Sequence, residues 1–74
     1  MDELLKGEVT PESVRAAVAS IAEVAGDDEV AHSRTDEMYI ALVLAIAEGR
    51  CTDPPLCCSF ALAVEEIDFE RWCA

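Results

Sequence analysis

His32 stands four residues after Asp28 and four before Asp36, so a helix would bring one imidazole and two carboxylates to the same side. Those donor types suit zinc or a similar divalent ion, but no motif supplies the remaining ligands. The simpler role is a partly buried helix residue hydrogen-bonded to a neighbouring acid. Thiol chemistry could come from Cys51, Cys57, Cys58 and Cys73. No pair has the Cys-x-x-Cys spacing of zinc knuckles or thioredoxin-like sites. Cys57 and Cys58 diverge by about 100° on a helix, which disfavours joint chelation. They read first as small reduced packing residues, next as a disulfide or an exposed reactive thiol, and least as a zinc site. Glu65 and Glu66 are adjacent and expected to be solvated. Arg71, among Asp68, Glu70 and Trp72, is expected to stack on a ring or pair with an acid. No nucleophile elbow, phosphate loop or metalloprotease signature occurs, and a chain this short leaves little room for a substrate pocket. The expectation is a protein that is not an enzyme, with no metal and no cofactor.

The elements that would position these residues centre on Met38 to Ala47, ten uncharged residues in a chain of net charge −11. Upstream there is no Gly or Pro before Gly26, so a helix can run from about Asp28 to Glu48. Its length, roughly 30 Å, exceeds an ordinary strand. Ala31, Thr35, Met38, Leu42, Ala45 and Ile46 share one face of that helix, with Tyr39 at its edge. Ile40, Val43, Leu44 and Ala47 make a second apolar face in the C-terminal half alone. Two such faces call for two neighbours, so this helix is expected in the middle of a bundle or at a dimer seam. Ten residues span only about half of a bilayer core, so no membrane span is expected. Gly49 suits a left-handed position just beyond the helix end. Ser33 could interrupt the helix by acting as a fresh cap.

Helix one is expected to begin at Thr10 as N-cap, with Pro11 in its first position and Glu12 at the positive end of the dipole. Val9 and Val14 are spaced for a hydrophobic staple. Val14, Ala17, Val18, Ile21, Val24 and Ala25 form its inner face, and Gly26 ends it. Asp27 or Asp28 caps helix two. Asp53 caps helix three, with Pro54 and Pro55 in its first turn, and Leu56, Phe60, Ala63, Val64 and Ile67 are expected inward. Cys58 and Leu62 lie further round. A last helical segment, Phe69 to Cys73, would be capped by Asp68 and stapled by Ile67 and Trp72. Met1 to Gly7 is expected as one helical turn or a frayed end. No β pattern is present. The fold class is therefore all-α: a small three-helix bundle with a short C-terminal helical segment, forming one domain over residues 1–74.

Sixteen Asp and Glu against five Lys and Arg give a pI near 4.1, which argues against direct binding to nucleic acid or anionic membranes. With 53 % hydrophobic residues and a mean hydropathy of +0.22, disorder is not expected. The N-terminal residues show neither a basic region nor an apolar core of a secretory signal, so the expected compartment is the cytoplasm.

Short motifs carry one resemblance: Gly26-Asp27-Asp28-Glu29, Ala31-His32-Ser33, Ile46-Ala47-Glu48-Gly49 and Ile67-Asp68-Phe69-Glu70-Arg71-Trp72. Through them the chain resembles short acidic hypothetical proteins of actinobacteria and their phages, a group with no assigned activity. The resemblance implies phage or prophage origin rather than mechanism. Cys51, Cys57, Cys58 and Phe60 depart from that group, where more Ala and charge would stand. The functional expectation is a small acidic module that binds a host or phage protein through an apolar helical face rimmed by acids. Its residues are Ile40, Val43, Leu44, Cys58 and Leu62, with Asp36 and Glu37 at the rim. The competing readings are an acidic nucleic-acid mimic that blocks a basic cleft and a structural homodimer.

Overall fold

The computed structural model describes residues 7–67. The described chain is mostly helical: α1 (Pro11–Glu23), α2 (Asp28–Ala47), α3 (Pro54–Leu62) and a closing 3-10 turn (Ala63–Glu66). Met1 to Lys6 of the expected N-terminal turn, and the expected last segment with its Asp68 cap, Phe69 to Cys73, including Arg71 and Trp72, lie outside the described residues.

Local chemistry places each helix start. The Thr10 side chain accepts from the Ser13 backbone N–H at 3.2 Å, and the Thr10 N–H donates to Ser13 Oγ at 2.9 Å. This is a reciprocal capping box, with Ser13 in the position that Glu or Gln more often fills. Asp27 caps α2 by accepting from the Val30 N–H at 3.2 Å. Asp53 caps α3 from a left-handed conformation (φ 55°), which Asp tolerates better than most side chains.

The ends differ from one another. Gly49 (φ 75°) closes α2 in a Schellman arrangement: its N–H donates to Ile46 and the Arg50 N–H to Ala45. By contrast α1 ends at Glu23, and Val24 and Ala25 tighten onto Ile21 and Ala22 before Gly26 is reached. Continuity of α2 is settled too, since the helix runs unbroken through the exposed Ser33.

The core joins all the elements. Val9, Val14, Ala17 and Ile21 meet Ala31, Met38, Leu42 and Ala45 of α2, and Cys57, Ala61 and Val64 from the C-terminal side. Four of these eleven are alanines, which let helix backbones approach closely. Thr35 is the buried polar residue among those described, and its hydroxyl donates to the Ala31 carbonyl at 2.8 Å. Its polarity is therefore satisfied within its own helix.

One expectation needs correction. The inner face of α3 is Cys57 and Ala61, whereas Leu56 is exposed and Phe60 half-buried; in the 3-10 turn Val64 is buried and Ala63 exposed, and Ile67 beyond it packs against the core. This helix is apolar almost all round, so its periodicity held no information about phase. Each of the three helices packs on both others, and α1 and α3 also meet the 3-10 turn. With nine residues against twenty, α3 is too short to wrap both sides of α2. Beside the helices, Val9 and Cys51 form one isolated parallel β-bridge. The Val9 N–H donates to Arg50 and the Thr52 N–H donates to Val9, both at 2.8 Å. A single-residue bridge leaves no alternating pattern to read.

Met38 is fully buried at the centre of this core. Met38→Ala is expected to cost about 2–5 kcal/mol in urea unfolding. Thr10→Ala is expected to cost about 1 kcal/mol by the same measurement, through loss of the cap.

Candidate functional site

The C-terminal half of α2 carries more apolar surface than its inner face uses. Ile40 is 68 % exposed, Val43 66 % and Leu44 50 %. Their i, i+3, i+4 spacing aligns them, and Ala47 adds the next turn. With Tyr39 they line an open groove of about 420 Å³. Tyr39 stands as one wall because its hydroxyl is bonded to Glu65 of the 3-10 turn at 2.8 Å.

Negative charge surrounds this strip. Asp36 and Glu37 are exposed one turn before Ile40. At the other end the last turn of α2 holds no basic residue, so its helix dipole is uncompensated there and Glu48 adds to it. Arg50 Nε lies 2.7 Å from Glu48 Oε1 and offsets part of that charge. The site is an apolar strip between two acidic ends.

Ile40, Val43 and Leu44 are thus gathered as one surface, with Asp36 and Glu37 at its N-terminal end. Cys58 and Leu62 are exposed on α3 but do not line the groove. Tyr39 lies at the edge of the inner face, and its place as a wall depends on Glu65, 26 positions away. A second groove, of about 280 Å³, lies between α1 and α3 and is lined by Arg15, Val18, Phe60 and Ala63 among others. Arg15 sits 5.4 Å from the Phe60 ring centroid, a cation–π contact that ties the two helices.

Of the potential chemical groups, His32 pairs with Asp36 at 3.5 Å within α2. Among the described residues no three His, Cys, Asp or Glu side chains gather in a way that could hold a metal ion. Cys57 is buried, Cys51 half-buried and Cys58 exposed, and all three are free thiols. Burial above all pushes the Cys57 thiol up to about 12, helped by its hydrogen bond to the Cys51 side chain and by the negative charges of Cys51 and Asp53. No helix among the described residues is long and apolar enough to cross a membrane. No family model, curated protein or solved structure matches the chain.

Because the folded Cys57 holds its proton to a higher pH than the unfolded chain does, its contribution to stability is complete below the unfolded thiol pKa. It is lost as pH rises from about 9 towards 12. Urea midpoints measured across that range should fall more steeply for the native chain than for Cys57→Ala, by at most about 1.4 kcal/mol per pH unit.

Proposed function

We propose that this chain is a small, acidic, non-enzymatic protein-binding module whose docking surface is the outer face of α2. The reading includes a three-helix bundle with a short C-terminal helical segment, a cytoplasmic location and, from the short-motif resemblance, phage or prophage origin. The observation that carries it is the exposure of Ile40, Val43 and Leu44 as one strip on a rigid helix, in a chain of net charge −11. Large aliphatic side chains aligned and solvated in this way lose unfavourable hydration when a partner covers them.

Charge complementarity indicates the partner chemistry. A helix with an apolar stripe flanked by Lys or Arg would place its aliphatic side chains against Val43 and Leu44 and its cations near Asp36, Glu37 and Glu48. Affinity would come mainly from the buried strip, and the acids would speed encounter and select against acidic partners.

The test is Leu44→Asp together with Val43→Asp. Both positions are solvated, so helicity by circular dichroism and the urea midpoint should change little. Partner affinity should fall at least tenfold, about 1.4 kcal/mol. A complex that ignores these substitutions but dissolves as salt rises would instead support polyanion mimicry. A native dimer that these substitutions convert to monomer, with no other partner found, would support the homodimer.

A further inference from the structure

Two of the thiols converge on one point. Cys51 Sγ lies 3.8 Å and Cys57 Sγ 3.1 Å from the same acceptor, the Thr52 carbonyl oxygen. The two side chains are also close enough that charge on Cys51 acts on Cys57. Their backbones are held independently. Arg50 and Thr52, on either side of Cys51, are both bonded to Val9, and the Cys57 N–H donates to the Asp53 carbonyl at 3.0 Å. Both thiols thus stand on short segments whose backbones are fixed. Cys58, the next residue on α3, is exposed.

We propose that Cys51 and Cys57 form a built-in site of reversible intrachain disulfide formation, with a low-molecular-weight disulfide as oxidant. Exposure sets the order of events. Half-buried Cys51 meets the oxidant first, and its thiolate attacks one sulfur of the small disulfide. That S–S bond breaks, one small thiolate leaves, and a mixed disulfide forms on Cys51. Buried Cys57 then loses its proton and attacks Cys51 Sγ, expelling the second small thiolate. The two protein thiols are oxidised by two electrons in total. The small disulfide is reduced to two thiols, which take up the two protons released. Part of the resistance of Cys57 to ionisation comes from the negative charge of Cys51, and that charge is absent once Cys51 is in the mixed disulfide. Burial remains, so the second step is the slower one. An excess of small thiol or dithiol reverses the sequence.

Folded protein exposed to oxidised glutathione tests this by mass spectrometry. In the native chain the tryptic peptide from Cys51 to Arg71 should become lighter by two hydrogens, with Cys58 still open to alkylation and Cys51 and Cys57 both protected. The shift should disappear on treatment with dithiothreitol. The double variant Cys58→Ser, Cys73→Ser should react in the same way and form no interchain disulfide. Adding Cys51→Ser to it should leave Cys57 unoxidised. A glutathione adduct that persists on Cys51, an interchain dimer, or pairing of Cys58 with either thiol would overturn the proposal. The native-chain peptide decides the matter even if the variants fail to fold.

Discussion

The rest of the structure depends on how Val9 is held. Its side chain is fully buried, and its N–H and C=O both bond to the segment between α2 and α3. The start of α1 is thereby fastened to the end of α2 and the entry to α3, which brings together parts of the chain more than forty residues apart. Flanking contacts reinforce the junction: Arg50 reaches the Gly7 carbonyl, and the Thr52 hydroxyl bonds to Glu8 at 3.0 Å. Two backbone hydrogen bonds at one buried residue couple three helix ends, so loss of order there would release α3 as well as the start of α1.

That junction also explains how α2 comes to have two different halves. Its inner face enters the common core along much of its length, from Ala31 to Ala45. Its outer face is charged in the N-terminal half and apolar in the C-terminal half. A nine-residue α3, fixed at its start by Asp53 and by the junction, reaches one side of α2 only. The strip from Ile40 to Ala47 is left to solvent by the geometry of the described chain. Crossing ties keep the helices from sliding to cover it: Arg34 to Ser20 at 3.2 Å, Tyr39 to Glu65, and Arg15 over Phe60.

Much of this was legible wherever one residue type answers one local need. Thr10, Asp27 and Asp53 were readable as caps because orphan N–H groups require such side chains, and Gly49 because its position has positive φ. The inner face of α2 was readable because Asp36 and Glu37 mark the opposite side. The same contrast made Ile40, Val43 and Leu44 visible as surplus. Where contrast failed, so did legibility. In Pro54 to Leu62 nearly every position is apolar, and the face was assigned one residue away from where packing puts it. The Val9 bridge, the Tyr39–Glu65 contact and the meeting of Cys51 with Cys57 all arise from tertiary placement, which no local spacing encodes.

The buried alanines have an evolutionary consequence. Ala17, Ala31, Ala45 and Ala61 are at most 1 % exposed, each methyl group enclosed in the core. A larger residue at any of them would force helices apart, typically at a cost of about 1–3 kcal/mol, a considerable fraction of what a domain of this size has to lose. A smaller one is glycine, which weakens the helix itself. Neutral drift is thus nearly closed at these four positions and open across the outer surface. Divergent descendants could replace most of their exterior, partner preference included, while retaining the same alanine framework.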